Sequence, residues 1–197
     1  MVLSLVVLLT MTQAPTSRPV HTATSEASRL AAEYFVQKAG ATWNYAGPRG
    51  AKAHYTITSF VEWRAAFTFT AGKRSVSGHW RIKEGAWLER SGARSESEVV
   101  LLPATMTRGT SWSAPASIER GKSVASQYEV LALDAQVELP TGVTVDHCLA
   151  VLESARDGSD PHTHYYAPNV GKVAVRGPDD WLFRLTDFRS GQRSHAE

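Results

Sequence analysis

Residues 139–175 read LPTGVTVDHCLAVLESARDGSDPHTHYYAPNVGKVAV, and their punctuation decides the fold. Pro140-Thr141-Gly142 predicts a type II turn, with proline early and a glycine able to take positive φ. Val145 to Ser154 then reads as a strand, Asp157-Gly158 as the next turn, and Tyr165 to Ala167 and Lys172 to Arg176 as two further strands about a glycine turn. The same segment carries the chain's single cysteine and three of its seven histidines, so any chemistry is expected to touch it.

Working outward, the grammar repeats. Ser123 to Leu139 is the longest candidate strand, with Tyr128, Val130 and Ala132 on one face and Glu129, Leu131 and Leu133 on the other. Trp181 to Phe188 follows the Gly177-Pro178 break and ends the sheet. Upstream, His54 to Trp63 and Ala65 to Thr70 alternate at period two, Phe67 and Phe69 sharing a face. Ser75 to Lys83 passes through Glu84-Gly85 into Ala86 to Arg90 as a hairpin. Val99 to Leu102 is stopped by Pro103, and Pro115 confines Thr110 to Glu119 to an edge or a broken strand. In Ala41 to Ala46, Trp43 and Tyr45 fall on one side. Ahead of them, Thr24 or Ser25 caps a short helix with Ala27, Leu30, Ala31 and Tyr34 on one face, ending before Gly40. The expected fold is therefore mainly β: a single-domain antiparallel sandwich or open half-barrel of about ten strands with one short N-terminal helix. Residues 1–23 form a signal-like segment and linker, 24–189 the domain, and 190–197 a polar tail expected to be disordered.

Composition narrows the function. With 197 residues and 43% hydrophobic side chains the chain builds one real core. A net charge of +2, spread singly, argues against nucleic acid, which needs a concentrated basic face. One cysteine excludes an internal disulfide. Met1 to Thr10 (MVLSLVVLLT) is too short to span a bilayer, which takes roughly 20 residues, and has the length of a signal-peptide apolar region. The expected location is periplasmic or secreted, with no integral membrane span.

Three patches carry a resemblance: Tyr34-Phe35 followed by Gly40-Ala41-Thr42-Trp43-Asn44-Tyr45; Leu139-Pro140-Thr141-Gly142 with Cys148; and Tyr165-Tyr166-Ala167-Pro168-Asn169-Val170-Gly171. Together they resemble a loose group of exported bacterial β-rich proteins of unknown function, with half-barrel lipoprotein carriers a more distant likeness in architecture. Val143 and Thr144 depart from the bulkier residue usual after the LP-x-G turn, and Asn169 stands where glycine is common. The resemblance implies placement in the envelope or outside the cell and a β fold; it brings no activity.

No assembled catalytic motif is present. His147 and Cys148 are neighbours, and on a strand neighbours point to opposite faces, which separates imidazole from thiol. His162 and His164 project from one face if Pro161 opens a strand, which suits two ligands of a divalent metal; Asp160, His79 and His54 are candidates for a third. The bland alternative is two solvated loop histidines. Among the aromatics, Trp43, Trp63, Phe67, Phe69, Tyr165 and Tyr166 are the candidate lining of an apolar pocket, set against the simpler reading that aromatics fill a β core. The leading expectation is an exported, non-enzymatic β-protein, without a cofactor, that binds an apolar or lipid-like molecule or an envelope partner. The alternatives are a metal-binding protein or metal-dependent hydrolase using His162 and His164, and a structural component of the envelope. Only a ligand pocket predicts an unfilled interior.

Overall fold

The computed structural model describes residues 28–91, 98–114, 117–119, 122–155 and 160–191. Its strands are β1 (Arg29–Leu30), β2 (Ala41–Ala46), β3 (Lys52–Val61), β4 (Arg64–Ala71), β5 (Arg74–Lys83), β6 (Ala86–Ser91), β7 (Val99–Leu102), β8 (Thr105–Met106), β9 (Ser111–Ser113), β10 (Ser117–Glu119), β11 (Lys122–Val124), β12 (Ser126–Glu138), β13 (Thr144–Ala155), β14 (His162–Ala167), β15 (Gly171–Arg176) and β16 (Trp181–Ser190). Twelve of them make one antiparallel sheet in the order β7-β6-β5-β4-β3-β2-β16-β15-β14-β13-β12-β9. Nearly every neighbour in the sheet is also a neighbour in the chain; the exceptions are β2, which pairs with β16 and so joins the two halves, and β12, which pairs with β9. The sheet curls until its two edges meet. There the indole Nε1 of Trp112 on β9 donates to the carbonyl of Val100 on β7 at 2.9 Å, giving a nearly closed barrel.

The turns follow local chemistry. Ala71 pairs with Arg74 across Gly72-Lys73, with Gly72 at φ 58°. Lys83 pairs with Ala86 across Glu84-Gly85, both at positive φ, the type I′ geometry that matches strand twist. At the Leu139 turn the amide of Gly142 donates to the Leu139 carbonyl at 3.0 Å, and Gly142 itself has φ 80° while Thr141 has no positive φ. The expected type II turn is thus corrected to a type I turn with glycine at the bulge position that follows it. The expected turn at Asp157-Gly158 lies outside the described residues, as do the signal-like segment and residues 192–197. The final strand runs to Ser190, past the expected end at Phe188.

Two further expectations are corrected. Among the described residues the expected N-terminal helix is a two-residue strand, β1, and one short 3-10 helix, Ala31–Glu33, while its expected cap at Thr24 or Ser25 and Ala27 lie outside them. Tyr34, Phe35 and Val36 are consecutive and all buried, whereas successive residues on an α-helix point about 100° apart and cannot share one buried face. The segment works as a cap on the barrel: the Phe35 ring meets Trp87 edge-on at 5.5 Å, and the Glu33 carbonyl accepts from the Asn169 amide at 2.8 Å. On β12 the strict alternation fails. Register shifts beyond Val130 move the inward phase from Tyr128 and Val130 to Leu133, Ala135 and Val137, because each bulge adds a residue and flips the side chains that follow.

The core is the barrel interior. Phe67 stacks on Trp80 with ring centroids 4.5 Å apart, and Gly78, opposite Phe67, makes room for it: a Cβ there would lie 2.5 Å from Phe67 Cζ. Among the described residues no helix is long and apolar enough to cross a membrane.

Candidate functional site

The inward faces of β2, β3, β5, β6, β14 and β15 converge on a narrow cavity walled by six aromatic rings: Trp43, Tyr45, Tyr55, Trp80, Trp87 and Tyr166. Alternation explains the set, since Trp43 and Tyr45 are two apart on β2 and Tyr55 lies directly opposite Trp43 on β3. Their polar ends are tied down. Trp43 Nε1 donates to the Val170 carbonyl at 2.6 Å, Tyr45 Oη to the Lys172 carbonyl at 2.7 Å, and Trp80 Nε1 to Glu89 Oε2 at 2.9 Å. Glu89 and Lys172 supply the charged part of the lining. Lys172 Nζ lies 5.5 Å from the centre of the Tyr166 ring, so the chain's own cation occupies the π face. Desolvation raises the Tyr55 phenol to about 12 and pushes the Tyr45 and Tyr166 phenols well up. The cavity that remains measures about 20 Å³, the room of a single water.

The sequence-derived aromatic set divides on this geometry. Trp43 and Tyr166 line the cavity; Phe67 is buried behind Trp80, and Phe69 is half-buried against Tyr55 at 4.4 Å. Tyr165 faces the opposite side of β14 and packs on Trp181 at 5.5 Å. Trp63 does not line the cavity. It sits at the tip of the β3–β4 hairpin, 49% exposed, with φ 63°. Tyr45, Tyr55, Trp80 and Trp87 complete the wall; alternation with Trp43 marked Tyr45, while Tyr55 is marked only by cross-strand pairing, which needs the register.

His162 and His164 do face the same way from β14, and each meets its own carboxylate. His164 Nε2 lies 2.8 Å from Glu153 Oε2, and His162 Nε2 lies 3.3 Å from Asp160 Oδ1. The His164 contact is close but off the ring N–H line, leaving both ring nitrogens without an aligned partner. Burial, with Lys172 adding to it, lowers the His164 imidazole to about 4. For Glu153, burial pushes the carboxyl up, but His164, Tyr128 and Lys172 outweigh it and hold it at about 2. Tyr128 Oη donates to Glu153 Oε1 at 2.8 Å. Among the described residues no three His, Cys, Asp or Glu side chains gather to hold a metal ion. His79 and His54, offered as third ligands, lie on β5 and β3. His147 takes positive φ (57°) and turns out to Asp134, Nδ1 to Oδ1 2.6 Å, while Cys148 is buried and its thiol is raised to about 11 by that burial.

The β3–β4 tip is the feature the sequence reading missed. Val61 pairs with Arg64 across Glu62-Trp63, whose φ values of 47° and 63° give a two-residue turn of the I′ kind. Such turns favour Asn-Gly, and a bulky residue at positive φ is a genuine outlier. Here the turn holds Glu-Trp, with Val61 beside it 65% exposed. The Trp63 carbonyl accepts from the Ile82 amide at 3.0 Å, which ties the tip to β5. No family model, curated protein or solved structure matches the chain.

Proposed function

We propose that this chain is an exported interaction protein: an aromatic-cored barrel that presents the Val61–Trp63 tip to a partner protein of the cell envelope. The observation that carries the reading is the tip itself. A half-exposed tryptophan and a largely exposed valine stand together on a turn whose backbone costs free energy to hold, and strain of that kind clusters where a surface is used. The interior supports the same choice, since about 20 Å³ leaves no room for a lipid-like molecule. Export rests on the apolar start at Met1 to Thr10 and on the resemblance to exported β-rich proteins.

The test is a photo-crosslinking amino acid placed at position 63 in the full chain, expressed in a bacterium with its own N-terminus, with the same substitution at Val76 on β5 as a control. A discrete adduct specific to position 63 supports the reading; identical adducts from both positions, or none from position 63, refute it.

The second reading, an apolar ligand within the barrel, is favoured by the six rings and by the placement of Lys172 in the lining, a long side chain that opens the slot if it swings out. It predicts that a ring-bearing ligand co-purifies and is lost when Tyr166 is replaced by alanine.

A further inference from the structure

A second, wider cavity of about 700 Å³ lies beside the outward face of β2 and β3, lined in part by Asn44, Lys52, His54, Thr70 and Thr186. Asn44 and His54 of this lining belong to a continuous hydrogen-bonded row of four half-buried side chains. Thr56 Oγ1 is 2.7 Å from His54 Nε2, His54 Nδ1 is 2.8 Å from Asn44 Oδ1, and Asn44 Nδ2 is 3.3 Å from Asp187 Oδ2. The register builds it. His54 and Thr56 are two apart on β3 and so share a face, Asn44 is the direct partner of His54 on β2, and Asp187 is the direct partner of Asn44 on β16. A bulge at Thr186 sets Asp187 in phase with Asn44, and Thr186 Oγ1 holds the Asn44 carbonyl at 3.0 Å.

The row has one consistent direction. An ionised carboxylate only accepts, so Asn44 donates its amide N–H to Asp187 and turns its oxygen to the ring. That oxygen accepts from His54 Nδ1–H, which leaves Nε2 as the acceptor for the Thr56 hydroxyl proton. This is the relation of nucleophile, base and orienting group: a hydroxyl hydrogen-bonded to a neutral imidazole nitrogen whose other nitrogen is held by a fixed acceptor. Thr42 and Thr68 stand directly opposite Thr56 on the two neighbouring strands, on the same face, and flank it with hydroxyl donors.

We propose that this row is a nucleophilic site for activated carboxylic esters of small acids, independent of the Val61–Trp63 tip. Thr56 Oγ bonds to the ester carbonyl carbon as its proton passes to His54 Nε2. The oxyanion sits between the Thr42 and Thr68 hydroxyls. On collapse the bond to the leaving oxygen breaks, and that oxygen takes the proton from His54. Water then hydrolyses the acyl-threonine by the same steps, with His54 accepting its proton and Thr56 leaving as the alcohol. Asn44 and Asp187 are positioning residues that fix the tautomer.

The experiment uses the full chain with p-nitrophenyl acetate, following phenolate release, and peptide mass spectrometry for an acetyl adduct. The expected result is saturable turnover with an acetyl group on Thr56. Thr56→Val, which suits a strand, removes the adduct and lowers the rate at least about 100-fold, the scale of general-base catalysis. Thr56→Ser keeps it. His54→Gln lowers the rate as much and flattens the pH dependence of turnover. Asn44→Ala lowers the rate and weakens that pH dependence, which a merely structural role would leave unmoved. A rate unchanged in folded Thr56→Val, an adduct confined to lysines, or a His54→Gln variant with the wild-type pH profile overturns the proposal.

Discussion

Replacing Glu62 by asparagine isolates the backbone cost of the β3–β4 tip. Glu62 is exposed, holds φ 47°, and makes no ion pair among the described residues, so the substitution removes no contact that holds the fold. What changes is the left-handed conformation, which costs a residue with a Cβ about 1–2 kcal/mol and which asparagine adopts more readily because its short side chain bonds locally. Recovering roughly half of that gives a gain of about 0.5–1 kcal/mol. For a chain of this size 1 kcal/mol moves the midpoint by roughly 2–4 °C, so Tm should rise by about 1–4 °C. Glu84, at φ 52° in the turn between β5 and β6, is the internal control: it occupies the equivalent first turn position, and Glu84→Asn should give a gain of similar size. The assay is thermal unfolding by circular dichroism, checked by denaturant midpoint at unchanged m-value. A loss of stability in Glu62→Asn, with a gain in Glu84→Asn, would refute the claim that the Glu62-Trp63 backbone is strained and would indicate an unrecognised favourable role for the Glu62 carboxylate.

Further outcomes follow from the interior. Gly78→Ala places a methyl 2.5 Å from Phe67 Cζ and 2.6 Å from the Arg90 carbonyl; the overpacking should cost about 1–3 kcal/mol by urea unfolding and shift the near-ultraviolet signal of the Phe67–Trp80 stack. Trp43→Ala removes a fully packed ring and its hydrogen bond to Val170 and should cost about 3–5 kcal/mol, while Trp63→Ala, at an exposed tip, should cost far less. Stability should also fall with acid. His164 and Glu153 both bind their protons less readily in the fold than in the unfolded chain, reaching about 4 and about 2. The unfolded state therefore binds more protons as pH drops from about 6.5 to about 4, and again from about 4.5 to about 2. His164→Gln should flatten the upper part of that slope, measured as urea midpoint against pH.

The sheet was legible because turn residues and period-two alternation are local signals: Val99–Leu102 and the β5–β6 hairpin at Glu84-Gly85 could be read directly from residue order. The N-terminal helix was misread because Ala27, Leu30, Ala31 and Tyr34 fit a helical face, whereas Phe35 and Val36 are drawn into the barrel by contacts with Trp87 and the cavity that no local pattern encodes. On β12, bulges broke the alternation without a glycine or proline to announce them. The candidate site was legible only in composition. Aromatic residues pointed to an interior lining, yet Tyr165 and Tyr166 are adjacent and only register decides which of them faces inward. Trp63 carried a strand-like pattern into a turn, since Glu-Trp is not turn chemistry. The row from Thr56 to Asp187 spans three strands from both ends of the chain, and so is visible only in the assembled sheet.

The claim that organises this account is that the aromatic interior is a filled core and that partners are met at the surface. Native mass spectrometry of the full chain, purified without detergent or chelator, tests it most directly. The account predicts the mass of the polypeptide alone, unchanged by organic extraction. A stoichiometric added mass of several hundred daltons, released by solvent and absent from the Tyr166→Ala variant, would contradict it and return the function to the barrel interior.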